Sequence, residues 1–176
     1  MSLFDRIDQD PDVFFLTRQS CSENDASISL CHNLISKFNS SNGGYRIIKL
    51  DSYYDTIKFA KPPKAPDCLI IIERNGRFEI IVVELKDVSK PANLKPLSEI
   101  REKFDVVARF IEKDFPHVFI ADDIVYERLE NWLVVAGFDL SKAKGLFVDA
   151  LAGKGLVRVG GLTAPIQVKS SGTEIC

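Results

Sequence analysis

Residues 66–86 read PDCLIIIERNGRFEIIVVELK. Two β-branched apolar runs flank Asn75-Gly76, and an Asn-Gly pair in such a setting is the strongest short-range signal for a two-residue β-hairpin. With Asn75 and Gly76 as the turn, the pairing register brings Asp67 opposite Glu84. The sequence therefore predicts a hairpin that ends in two facing carboxylates.

The two acids of this hairpin are expected to form a cation site. Cross-strand neighbours have Cβ atoms roughly 4.5–5.5 Å apart, and like charges placed there destabilise a sheet unless something neutralises them. Mg²⁺ prefers oxygen ligands and is commonly held by one or two carboxylates. Lys86 follows Glu84 by two residues and so points to the same face. The alternative is that all three are ordinary polar residues where a buried hairpin meets solvent, although a one-residue slip would separate the acids.

The pattern Pro66-Asp67 … Glu84-Leu85-Lys86 resembles the signature of the PD-(D/E)xK nuclease superfamily, which includes restriction endonucleases, Holliday-junction resolvases and repair nucleases. The resemblance covers about residues 20–138 in the order of elements, but only the motif itself is specific. It implies an α/β fold with a restriction endonuclease-like core, in which helices flank a mixed central β-sheet. The implied order is helix, three strands, helix and strand, with the motif on the second and third strands.

The resemblance also implies roles for individual residues. Asp67, Glu84 and the backbone carbonyl of Leu85 are the expected ligands of Mg²⁺, with Mn²⁺ as an alternative metal. Lys86 is expected to orient the attacking water or to stabilise the transition state, although its spacing alone equally fits a surface salt bridge. Glu23 is a further candidate, because many members carry an acid on the first helix. It equally fits a surface residue that stabilises the positive end of a helix dipole.

Periodicity and breakers predict the remaining elements of one domain, residues 1–176. A first helix over 22–38 is expected to begin at Ser22 or Asn24 and to bury a stripe at three- and four-residue spacing. The other predicted elements are a strand at 45–50, an irregular segment at 51–66, a helix at about 97–114, a buried strand at 132–138, a helix near 141–152 and weak strands near 156–169. We expect a loosely defined segment at 1–21 and a frayed tail at 170–176.

Composition narrows the class of protein. Of the 176 residues, 45% are hydrophobic and 27% are charged, as is typical of soluble globular proteins. No apolar run approaches the ~20 residues needed to span a bilayer, so we expect no membrane partner. The four cysteines show no Cys-x-x-Cys spacing and are expected to be reduced thiols in a cytoplasmic protein. A net charge of −2 carries no global signal for nucleic acid, so any binding would use a local patch.

The expected function is that of a Mg²⁺-dependent endonuclease of restriction type, with DNA ahead of RNA as its substrate and a homodimer as its expected assembly by family analogy. One alternative is an RNA endonuclease similar to the cap-snatching enzymes of segmented RNA viruses, which His32 and Asp51 would support. Another alternative is a non-catalytic protein that keeps the same scaffold to bind nucleic acid or a protein partner.

Overall fold

The computed structural model describes residues 1–36, 43–56, 62–87, 97–137 and 156–176. The helices are α1 Leu3–Gln9, α2 Pro11–Phe15, α3 His32–Ile35, α4 Leu50–Thr56, α5 Leu97–Arg109, a π-helical turn Phe110–Asp114 and α6 Pro116–Phe119. The strands are β1 Thr17–Arg18, β2 Ser22–Glu23, β3 Ala26–Leu30, β4 Gly43–Lys49, β5 Cys68–Arg74, β6 Arg77–Asp87, β7 Tyr126–Ala136, β8 Val157–Val159, β9 Leu162–Ala164, β10 Ile166–Ser170 and β11 Thr173–Ile175.

The centre of the molecule is a six-stranded mixed sheet in the order β1-β4-β5-β6-β7-β10. The pairs from β1 to β6 are antiparallel, whereas β7 pairs in parallel with both β6 and β10. A parallel neighbour requires a crossover connection, and α5 lies in the connection between β6 and β7. These features confirm the mixed α/β class with helices flanking a central sheet. No helix in the described part of the chain is long and apolar enough to cross a membrane.

The predicted hairpin register is confirmed. Cys68 pairs with Val83, and Arg74 pairs with Arg77. Asn75 and Gly76 have φ values of 53° and 76°, as a type I′ turn requires at both central positions. Asp67 lies in a bend directly before β5. Because the register fixes which side chains share a face, it also fixes where the acidic ends of the hairpin meet.

The hairpin is buried on both faces, as its two apolar runs predict. One face packs against the helices and carries Leu69, Ile71, Ile80 and Val82. The other face packs against a small sheet of β2, β3 and β11 together with α3, and carries Ile70, Ile72, Ile81, Val83 and Leu85. The helices thus cover one face of the β5–β6 hairpin, and the small sheet covers the other.

The second predicted helix is confirmed as α5 and the π-helical turn that follows it. Ile100, Phe104, Val107 and Ile111 are buried in the core on the helix side of the sheet, at the predicted spacing. The predicted strand at 132–138 is confirmed as β7, which begins six residues earlier, at Tyr126. One or two weak strands are predicted near 156–169, and the structure has three strands there, β8, β9 and β10.

The helix predicted over 22–38 is wrong. Asn24, with φ 50°, and Asp25 form a tight turn between β2 and β3, so a hairpin occupies this position. Buried and exposed residues alternate at the start of β3, and the helical part shrinks to α3. Ile35, expected in the buried stripe, is 51% exposed. A left-handed asparagine in a two-residue turn is a hairpin signal, and it outweighs the helical spacing here.

The expectation of a loosely defined segment at 1–21 is also wrong. Ser2 and Asp5 form a reciprocal capping box, with hydrogen bonds of 3.0 and 3.1 Å from each backbone N–H to the other side chain. Leu3 and Ile7 are fully buried in the helix-side core. The N-terminal segment is therefore part of the packed domain.

Two further predictions are wrong, and one lies outside the described residues. The segment predicted as irregular begins with α4, which buries Leu50 and Tyr54. The tail predicted to fray contains β11, which pairs in parallel with β3. The helix predicted near 141–152 lies outside the described residues. Strands that pair across about 145 residues of sequence leave no local signal, so the sequence of the tail alone does not predict β11.

We expect Ile7→Ala to lower the free energy of unfolding by about 2–5 kcal/mol, because it removes a fully buried side chain from the core. Gln9→Ala, at an exposed position of the same helix, is the matched control and should change it by less than about 0.5 kcal/mol. Urea titrations of both variants measure this difference. Equal, small effects would mean that α1 does not belong to the cooperative unit.

Candidate functional site

Asp67 is held in place by the neighbouring strand. Its Oδ2 atom accepts a hydrogen bond of 2.6 Å from the backbone N–H of Leu85. The side chain of Asp67 is only 5% exposed. This bond links the residue directly before β5 to a residue near the C-terminal end of β6, so the carboxylate of Asp67 lies beside that of Glu84.

Glu84 is a completely buried carboxylate with an asymmetric environment. Its Oε1 atom accepts hydrogen bonds from the ammonium groups of Lys86 and Lys103, the latter at 2.6 Å. Its Oε2 atom is buried and has no partner among the described residues, a condition that it shares there only with Oδ1 of Asn131. One oxygen of Glu84 is therefore fully occupied while the other is free to accept a ligand.

The surroundings of Glu84 and Lys86 raise the pKa of both side chains. Burial raises the pKa of Glu84, and the nearby Asp67 carboxylate raises it further, while the two ammonium groups oppose this effect. Burial works in the opposite direction on Lys86, but the Glu84 carboxylate keeps the pKa of Lys86 above its usual value. Glu84 thus binds its proton more tightly in the folded chain than in the unfolded chain. Its ionisation therefore lowers stability as the pH rises above 4.5.

Lys103 belongs to this cluster through its contact with Glu84, and it is not among the site residues predicted from the sequence. Its side chain is only 16% exposed. A signal was present: Ile100, Lys103, Phe104 and Val107 follow the i, i+3, i+4, i+7 spacing of a single helix face. A lysine within an apolar stripe indicates a buried partner of opposite charge.

Glu23 lies near the site, but on a strand and not on the predicted helix. It lies at the end of β2, not at the start of a helix, and its carboxyl group is close enough to that of Asp67 for the two charges to interact. Partial burial and the Asp67 carboxylate raise the pKa of Glu23, while Lys86 and Lys49 oppose the shift. The structure therefore brings together all four residues predicted from the motif and its surroundings: Glu23, Asp67, Glu84 and Lys86.

The expectation of four reduced thiols is wrong for two of them. Cys21 and Cys68 form a disulfide between residues 47 positions apart in sequence. Cys68 directly follows Asp67, and Cys21 precedes Glu23 by two residues. Cys31 and Cys176 are free. Scattered spacing alone did not reveal the pair, because its members meet only through the packing of the small sheet on the hairpin.

The residues that would support the RNA-cleaving alternative lie in different places. His32 is exposed at the first position of α3. Asp51 lies at the start of α4 and forms a salt bridge of 3.5 Å with Lys49. His32 thus lies on the surface. Asp51 pairs with Lys49, whose positive charge opposes the rise in the pKa of Glu23.

The cluster fits a hard divalent cation that completes its shell with water or substrate. Oε2 of Glu84 is a buried oxygen that has no partner in the part of the chain that the structure describes, and the Asp67 carboxylate lies near Glu84. Within the described ranges, no group of three or more His, Cys, Asp and Glu side chains is arranged to hold a metal ion, so a cation here would have at most two such ligands. Mg²⁺ sites commonly use only one or two carboxylates plus waters and substrate phosphates, which matches this donor set.

We expect Lys103→Met to lower the free energy of unfolding by about 1–3 kcal/mol near neutral pH, because a buried carboxylate loses one of its two charged donors. The loss should shrink below pH 4.5, where Glu84 is neutral in the folded and unfolded chains alike. Lys113→Met, at an exposed position, is the matched control and should have an effect below about 0.5 kcal/mol. Denaturant titrations at several pH values test this, and a loss that does not vary with pH would contradict it.

Comparison with known proteins gives no matching family model, no similar curated protein and no similar solved structure. The interpretation of the site therefore depends on the geometry of Asp67, Glu84 and the two lysines.

Proposed function

We propose that this protein is a metal-dependent endonuclease that hydrolyses phosphodiester bonds, with DNA as the expected substrate. The observation that carries the proposal is the environment of Glu84. Within the described ranges, one oxygen of this fully buried carboxylate has no partner, while two lysine side chains contact the other. This arrangement suits a site that binds a cation and an anion next to each other.

The free oxygen of Glu84 supports the cation half of the proposal. Leaving a buried acceptor without a partner costs about 1–3 kcal/mol, and more when the group is charged. Buried polar groups in proteins nearly always have a partner, so an exception suggests a ligand or an ion. A second carboxylate, that of Asp67, raises the pKa of Glu84 from close by, and a cation between the two would relieve their repulsion.

The protein groups around the cation have separate tasks in this proposal. Asp67 and Glu84 would hold Mg²⁺ or Mn²⁺, and the Leu85 carbonyl would be a further ligand, as the family resemblance implies. The Leu85 N–H orients Asp67 through its 2.6 Å hydrogen bond. The chemistry that such a cation supplies is activation of water at neutral pH and neutralisation of charge on the phosphate.

The two lysines support the anion half. Each ammonium group has three donors and uses one on Glu84, so donors remain for a phosphate oxygen. Their side chains are 21% and 16% exposed, so a substrate can reach them from solvent. Lys86 would orient the attacking water or stabilise charge as it develops on the phosphate. Lys103 would hold Glu84 and bind the same phosphate.

The order of elements supports a restriction endonuclease-like core as part of the proposal. Strands β4, β5 and β6 are followed by α5 and then by β7, which matches the order of three strands, helix and strand. The motif lies at the ends of the second and third of these strands. The first helix of that core is replaced at residues 22–30 by the hairpin of β2 and β3. A homodimer that cuts both strands of a duplex belongs to this proposal by analogy.

Glu84→Gln and Asp67→Asn should each reduce cleavage of supercoiled plasmid at least about 100-fold in the presence of Mg²⁺, because each removes a proposed cation ligand. Glu79→Gln is the matched control, since Glu79 lies on the same strand, is also buried, and pairs with Arg74 away from the site. It should cleave like the unmodified protein. Equal cleavage by all variants would contradict the site.

The same assay separates the alternatives when single-stranded RNA and EDTA are included. Loss of RNA alone, dependent on metal and on Glu84, would favour the RNA endonuclease. A folded protein that cleaves neither substrate and binds no cation would favour a non-catalytic scaffold.

Mg²⁺ should stabilise the protein against unfolding by about 2.7 kcal/mol at a concentration 100 times its dissociation constant, provided that it binds only the folded chain. The affinity should fall as the pH is lowered toward 4.5, because a raised pKa lets protons compete with the cation at Glu84. Calorimetry across this pH range measures the effect. Glu84→Gln should abolish the binding, whereas Glu79→Gln should preserve it; pH-independent affinity would contradict the role of Glu84.

A further inference from the structure

A covalent bond joins the two segments that carry Glu23 and Asp67. The disulfide connects Cys21, two residues before Glu23, to Cys68, which directly follows Asp67. Both cysteines are almost completely buried, with exposed fractions of 1% and 0%. The bond therefore lies inside the interface between the small sheet and the central hairpin.

Strand β2 is an edge strand of the small sheet and packs against β6. Strand β2 has only two residues, both exposed, and pairs with β3 through two residue pairs. The backbone N–H of Ile28 donates a further hydrogen bond of 3.1 Å to the Cys21 carbonyl. These contacts connect β2 to β3, but they do not connect it to the strand that carries Asp67.

The contact between Glu23 and Asp67 does not secure the position of β2 by itself. The disulfide places the two segments 6.2 Å apart, measured between the Cα atoms of Cys21 and Cys68, and the Glu23 and Asp67 carboxylates repel when both are ionised. An arrangement that brings like charges together needs other bonds to maintain it. Among the described residues, the Cys21–Cys68 disulfide is the covalent cross-link between the segments that carry them.

We propose that the Cys21–Cys68 disulfide is a positioning element that holds Glu23 against Asp67, so that the affinity of the site for a divalent cation depends on this bond. The dependence on a cation rests on the proposed function, whereas the positioning of Glu23 does not. Glu23 acts in this proposal as a positioning residue that supports Asp67 from outside the cation's immediate ligands. Such supporting residues commonly change metal affinity by about 10- to 100-fold when they are lost.

The affinity test compares variants by calorimetry with Mg²⁺. Glu23→Gln and the double variant Cys21→Ala/Cys68→Ala should each weaken binding about 10-fold. Combining all three substitutions should weaken it no further, because the disulfide acts through Glu23. Cys176→Ser removes an exposed free thiol and is the control that should leave the affinity unchanged. Losses that multiply in the combined variant would overturn the proposal.

A second measurement follows the position of Glu23 without any metal. The carboxyl carbon resonance of Glu23 should shift on Asp67→Asn when the disulfide is intact. It should not shift when the two cysteines are replaced by alanine. The same shift in both backgrounds would overturn the positioning role, whatever the outcome of the cation experiments.

Two controls keep the outcomes distinguishable. Mass spectrometry under non-reducing conditions should show Cys21 and Cys68 in one cross-linked peptide, and free thiols at both positions would overturn the proposal. If the alanine variant does not fold, Cys21→Val/Cys68→Ala, which keeps more of the buried volume, provides the disulfide-free state. If the intact protein binds no cation, the proposed function and the cation dependence fail, and the Glu23 resonance alone decides the positioning role.

Discussion

The buried charge of Glu84 is the constraint on which the rest of this structure depends. An ionised carboxylate without solvent requires partners, and removing a partner from a buried ion pair is strongly destabilising. Here Lys86 of the same strand and Lys103 of the crossing helix meet one of its oxygens. Satisfying Glu84 thus requires that β6 be central, that α5 pack over its end, and that the hairpin register be kept.

The site lies where the two layers of the fold meet at the end of the central strands. The helix layer supplies Lys103, and the hairpin supplies Asp67, Glu84 and Lys86. The small sheet on the other face supplies Glu23 and is connected to the hairpin by a disulfide. The cluster combines three carboxylates with two ammonium groups, and the net charge of −2 for the whole chain does not describe this local arrangement.

Some features were readable in the sequence and were still misinterpreted. The capping box of Ser2 and Asp5 has a recognisable spacing, and it begins a helix that contributes to the core. Lys103 interrupts an apolar stripe at a position that faces the sheet. Asn24 adopts the left-handed conformation of a hairpin turn where a helix cap was expected. At Asn24 a local turn signal competed with helical spacing and matched the structure, whereas for Lys103 the helical spacing itself carried the signal.

The sequence by itself determined the hairpin, its register and the meeting of Asp67 with Glu84, because a two-residue turn transmits its geometry along both strands. It also determined the helix that carries Lys103, through the spacing of its apolar residues. The tertiary structure decided the pairing of β3 with β11, the Cys21–Cys68 bond and the approach of Glu23 to Asp67. These contacts join segments far apart in sequence, and only packing on the central sheet brings them together.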